Sequence, residues 1–262
     1  MRFFTNDKQK IIRIKALMAL YAFNRREDGD LVRAETELNF SITKTYDLYH
    51  YLLLLILEIS DIAAERIERA LYKKIPTPQD LNPNRRFIDN PVITQLRNNQ
   101  SFNKYLDSTK LSWINFIHIP RALYNRMISW DEYEEYMNAE VANYQTHRKF
   151  VISLITRLFP GSEDLVNCLE EQSIYWNDDM EYVLVMIEKT LRKFKSESGD
   201  RTELMPLFKN KEDEEFVKVL FRKAVVNTKQ CSELIENNTT NWEVERIADR
   251  KSTRLNSSHR IR

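Results

Sequence analysis

Glycine occurs three times in 262 residues, as Gly29, Gly161 and Gly199. Spread this thinly, it cannot build the clustered turns through which a backbone closes on a dinucleotide or a triphosphate, so Rossmann and P-loop sites are excluded. The same scarcity removes the tight turns that β-hairpins favour, while Leu, Glu, Lys, Arg and Ala recur in runs that suit helices; an all-α fold is predicted. Cysteine is nearly absent as well. Cys168 and Cys231 stand far apart, as a reducing compartment permits and a disulfide-stapled secreted domain would not show, so a cytoplasmic location is expected. The opening residues hold no uninterrupted apolar stretch of the kind a secretory signal needs. The longest apolar run, residues 52–57 with Ile59 beyond Glu58, falls far short of the ~20 residues that span a bilayer. It reads as a buried helix, and no membrane partner is expected.

Residues that carry chemistry are equally sparse. His50, His118 and His147 are scattered, and no Glu-x-x-His or His-Glu-x-x-His spacing puts two ligands on one helix face, so neither a metal centre nor a cofactor is expected. The acidic pairs Glu170 and Glu171, Asp178 and Asp179, and the cluster from Asp131 to Glu135 read as solvated faces or favourable helix starts. Cys168, between Val166 and Leu169, reads as a buried inert thiol. The expectation is a protein that binds rather than an enzyme.

What is present is enough apolar material, 42% of the residues, to build one large or two modest helical domains. Asn6 or Asp7 is placed to cap a helix over residues 8–23, whose Ile14, Leu17, Leu20 and Tyr21 fall at three- and four-residue spacings. A second helical stretch, residues 31–75, is expected to break near Ser41, and its 46–59 part is apolar nearly all round. Prolines with Asn and Asp make residues 76–86 the clearest loop. Helices are then predicted over 91–98, 112–127, 131–140, 142–158, 163–171, 177–196, 211–226 and 241–248, with Ser162 and Asn177 as caps. No period of 20 to 50 residues signals a solenoid.

Charge is uneven. Through residue 26 there are seven basic side chains (Arg2, Lys8, Lys10, Arg13, Lys15, Arg25, Arg26) and one acidic, Asp7. Such a patch suits a phosphate backbone, although at 100° per residue Lys8 and Lys15 fall on one side of the apolar stripe and Lys10 and Arg13 on the other. The alternative is a solvated helix face. At the other end, residues 250–262 lose all periodicity and match a reading-frame translation of a sequencing-library adapter; they are expected to be non-native. Read instead as a natural basic tail, they would touch nucleic acid. Without Arg250, Lys251, Arg254, Arg260 and Arg262 the formal net charge falls from +1 to −4.

Residues 8–23, a basic cluster running into a helix with Ala16, Ala19, Leu20 and Tyr21, resemble the opening of the bacterial transcription antitermination factor NusB family. Residues 213–222, Leu234 and Ile235, and Trp242 with Arg246 and Ile247 resemble that family's later helices. Residues 44–50 and 171–176 are similar to segments of an enlarged, Bacteroidetes-type form. The resemblance implies a NusB-like helical bundle: an N-terminal basic helix (1–30), a large helical insertion (31–209) and incomplete core helices (210–249), with the family's final helices replaced by the adapter-like tail. It further implies a factor that holds boxA-type RNA together with NusE, a small-subunit ribosomal protein, on the RNA polymerase elongation complex transcribing ribosomal RNA operons. Lys8, Lys10, Arg13 and Lys15 would then contact RNA, and Tyr21 would either stack on a base or, as its place beside Leu17 and Leu20 favours, fill the core. Two other readings are a helical protein-interaction scaffold that binds no RNA, and the RNA-binding half of a methyltransferase, which the missing glycine loop opposes.

Overall fold

Helices carry the whole architecture, because nearly every apolar residue falls at a helical rather than an alternating spacing. The computed structural model describes residues 6–26, 29–208 and 211–238, the side chains of 6–10, 231, 232, 235, 236 and 238 excepted, and among these there is no strand. The chain is all-α. In order the helices are α1 (Asn6–Arg25), α2 (Leu31–Leu71), α3 (Pro78–Leu81), α4 (Pro91–Arg97), α5 (Gln100–Thr109), α6 (His118–Met127), α7 (Asp131–Asn138), α8 (Tyr144–Ser153), α9 (Glu163–Gln172), α10 (Met180–Lys193), α11 (Lys211–Val226) and α12 (Thr228–Asn238). No helix among the described residues is long and apolar enough to cross a membrane.

The chain forms two compact units, one from Met1–Ile42 with Phe208–Arg262 and the other from Thr43–Leu207. The first division falls inside α2, at the place where a break near Ser41 was predicted. There is no break. Ser41 donates its hydroxyl to the Leu38 carbonyl at 2.7 Å, a local bond that leaves the helical backbone intact, and α2 runs on for 41 residues.

In the larger unit the apolar part of α2 is the core. Leu48, Leu52, Leu53, Leu55, Ile56 and Ile59 are wholly buried, against Val92 and Ile93 of α4, Phe150 and Val151 of α8 and Val183, Ile187 and Leu191 of α10. Trp113 lies flat on Tyr51, ring centres 4.0 Å apart, and donates its indole N–H to the Tyr51 carbonyl at 3.0 Å. After α8 the chain makes one wider π turn, Leu154–Leu158, whose Leu154, Ile155 and Leu158 all face inward. Buried polar groups are matched. The Tyr49 hydroxyl meets Thr190 at 2.7 Å, Thr45 donates to Asp179 at 2.5 Å, and Gln95 donates to Thr202 at 2.7 Å and to the Gly199 carbonyl at 2.8 Å.

Several predicted boundaries move for identifiable reasons. Helix α5 falls where no helix was predicted: its sequence is mostly polar, and it is fixed by Asn99, which caps Phe102 N–H at 3.0 Å, and by the burial of Phe102. Within the proline-rich loop, Thr77 and Asp80 cap each other's backbone and close the single turn α3. Ser162 caps α9 as expected, whereas α10 begins at Met180, three residues after the predicted cap Asn177. Helix α12 was not predicted, and the predicted 241–248 helix lies outside the described residues.

Candidate nucleic-acid interface

In the smaller unit α1 packs on α11. The stripe that α1 buries is Ile11, Ile12 and Ala16, with Phe23 further along meeting the fully buried Phe221 edge-on at 6.3 Å; Val217 of α11 is buried with them. This stripe is rotated away from the predicted one of Ile14, Leu17, Leu20 and Tyr21. The helix carries two overlapping apolar stripes, and Ile11, Ile12 and Ala16 are the ones buried. Leu17 is consequently 59% exposed, Met18 48% and Tyr21 42%.

The rotation decides what becomes of the basic residues. Arg13 is exposed. Lys15 sits between Ile11 and Ala16 on the buried stripe and is only 4% exposed, so it is not presented to a phosphate backbone; this corrects its place in the predicted cluster. Lys8 and Lys10 belong to the first turns of α1, and their side chains lie outside the described residues. Arg26 is engaged by Glu37 of α2.

Two residues the predicted cluster omitted complete a different arrangement. Arg13, Leu17, Tyr21 and Arg25 follow one another at four-residue spacing, which on an α-helix is a single ridge, and all four are exposed. The Arg25 guanidinium lies over the Tyr21 ring, 4.6 Å from its centre, so one aromatic face is already stacked on a cation while the side chain as a whole stays 42% exposed. Tyr21 is therefore not core, contrary to expectation. Among the described residues neither Arg13 nor Arg25 is held in an ion pair. The four-residue spacing was visible in the sequence; which of the two stripes faced solvent was not.

Several titratable side chains of the larger unit lie wholly or partly buried. Burial pushes the Cys168 thiol up, and Gln172 bonds its sulfur at 3.2 Å. His50 is 1% exposed and stacks on Tyr105 at 3.7 Å; burial lowers it to about 4. Tyr136 meets His147 at 2.8 Å and accepts from Asn90 at 3.0 Å, with burial raising the phenol and lowering the imidazole. Among the described residues no three His, Cys, Asp or Glu side chains are grouped to hold a metal ion. Comparisons with protein-family models, with curated proteins and with solved structures find no match.

Proposed function

We propose that this chain is a cytoplasmic, non-catalytic RNA-binding factor of the NusB kind, acting with NusE on boxA-type RNA in ribosomal RNA transcription. One observation carries the RNA part: the outward ridge of α1, where Tyr21 lies between Arg13 and Arg25 with one guanidinium already on its face. Single-stranded RNA asks for this combination. Its bases are unstacked and seek aromatic faces, and its phosphates seek cations that no carboxylate has claimed. Lys8 and Lys10 extend the basic run toward the start of the helix. The antitermination role and the named partners rest on the sequence resemblance alone. The exposed Leu17, on the ridge itself, and Met18 next to it suit a protein partner such as NusE beside the RNA.

Fluorescence anisotropy with boxA RNA against a scrambled control, with and without NusE and at two salt concentrations, tests this reading. Preferential, NusE-enhanced binding that falls steeply with salt is expected, because each neutralised phosphate releases counterions. Tyr21→Ala and Arg25→Ala are each expected to weaken binding at least five-fold, the lower end of what a stacked base contributes. Equal affinity for boxA and scrambled RNA, or variants indistinguishable from the parent, would favour the scaffold reading.

A further inference from the structure

Between residues 66 and 86 the larger unit carries Arg66, Arg69, Lys73, Lys74, Arg85 and Arg86 against only Glu68 and Asp80, although that unit as a whole has more acidic than basic residues. Four large apolar side chains are set among these charges and face water: Tyr72 and Ile75 at 88% exposed, Leu81 at 54% and Leu71 at 40%. The segment is braced rather than loose. Lys73 pairs with Asp80 at 2.8 Å, and Asp80 in turn caps Thr77, which holds the chain between α2 and α3 in one conformation. Arg69 and Arg85 are occupied by Glu65 and Asp89, whereas Lys74 and Arg66 have no ion pair among the described residues.

Beside this segment lies a cleft of about 250 Å³. Phe87, Tyr124 and Tyr133 are among its lining residues, with the Arg66 guanidinium 5.6 Å from the centre of the Tyr124 ring. Gln79 and Asn84 line it as well. Asn84 spends its amide N–H on the Met137 carbonyl, while Gln79 is exposed. The volume is below the roughly 300–1,000 Å³ that encloses a drug-sized ligand, and it suits one flat ring.

We infer that this end of the larger unit is a second contact for single-stranded nucleic acid, separate from α1: Lys74 and Arg66 meet phosphates, Tyr72 stacks on a base, and the aromatic cleft takes a neighbouring base whose edge Gln79 reads. Each part answers one feature of that ligand, since cations follow the backbone, exposed rings stack on unpaired bases and a side-chain amide pairs with a base edge. An acidic peptide would use the cations but has no need of a solvent-facing tyrosine beside them. The inference does not depend on the α1 ridge.

The test uses the full chain carrying Arg13→Glu and Arg25→Glu, titrated into fluorescein-labelled twelve-nucleotide oligouridylate at two salt concentrations, with circular dichroism showing unchanged helicity. Residual, salt-sensitive binding is expected, weakened about five-fold or more by Tyr72→Ala and by Lys74→Glu; both side chains are exposed, so neither change disturbs packing. Gln79→Ala is expected to alter the ranking of oligouridylate against oligoadenylate. Complete loss of binding in the Arg13 and Arg25 variant would overturn the second contact and leave the α1 reading standing. Undiminished binding in that variant, abolished by Tyr72→Ala, would support the second contact and count against α1. Binding to vesicles of phosphatidylserine and phosphatidylcholine that Tyr72→Ala abolishes, with no oligonucleotide binding, would assign the surface to lipid and overturn the proposal.

Discussion

His50 shows how much a single buried residue can weigh. Its ring is enclosed by Tyr46, Tyr49, Phe102 and Tyr105, its Nδ1 meets the Tyr46 carbonyl at 3.0 Å, and burial holds its pKa near 4. In the unfolded chain the same imidazole titrates near 6.5. Between those two values the unfolded state binds a proton that the folded state refuses. Stability is therefore full above about pH 6.5, falls as the pH drops toward 4, and stops changing on this account below 4. The total is on the order of 3 kcal/mol. Urea midpoints measured from pH 7.5 to 4 should show the decline, and His50→Phe should flatten it; an equally steep decline in that variant would place the titration elsewhere.

At the scale of the element, the pairing of α1 with α11 decides what the first helix offers to solvent. Phe221 is the fixed point of that pairing, wholly buried and set against Phe23. Phe221→Ala should cost about 3–5 kcal/mol, as truncation of a buried aromatic does. Binding through the α1 ridge should weaken with it, because the ridge faces outward only while the opposite stripe is covered. The neighbouring Arg222 makes a two-pronged pair with Glu35, holding that carboxyl below its ordinary range, but Arg222 is exposed. Arg222→Ala should cost far less, because an exposed ion pair is screened by solvent. Thermal melts of the two variants separate packing from surface charge: equal shifts would mean that α11 is not held by its apolar face. Helices α4 and α5 are fixed differently, by Asn90 and Asn99, both wholly buried, whose side chains cap their own helices; Asn99 also donates to the Thr202 carbonyl at 2.7 Å.

Among the described residues the exposed apolar side chains include Leu17, Met18, Val32, Phe40, Val226 and Leu234 in the smaller unit, and Tyr72 and Ile75 with Ile114, Val141 and Ile174 in the larger. Where such side chains are contiguous they mark sites that associate. The native protein should bind a hydrophobic dye under conditions where it melts cooperatively, and NusE should displace part of that dye if it docks beside the α1 ridge. A cooperative melt without dye binding would count against accessible apolar surface.

By itself the sequence determined the class of the fold and the position of its most buried helix, because these follow from composition and period, which are local properties. The span of α11, residues 211–226, was legible for the same reason. Only the tertiary structure decided which stripe of α1 is buried. The helix has apolar residues on both faces, and the choice lies with Val217 and Phe221, some two hundred positions away in the chain. That choice removed Lys15 from the predicted cluster and joined Tyr21 to Arg25. Helix α5 was hidden likewise, since its helical state depends on Phe102 and Tyr105 reaching His50 and Asp47 of α2 rather than on any periodicity of its own. The cleft beside Arg66 was invisible for a third reason: its walls come from α2, from the 79–88 segment, from α6 and from α7, and only packing brings them together.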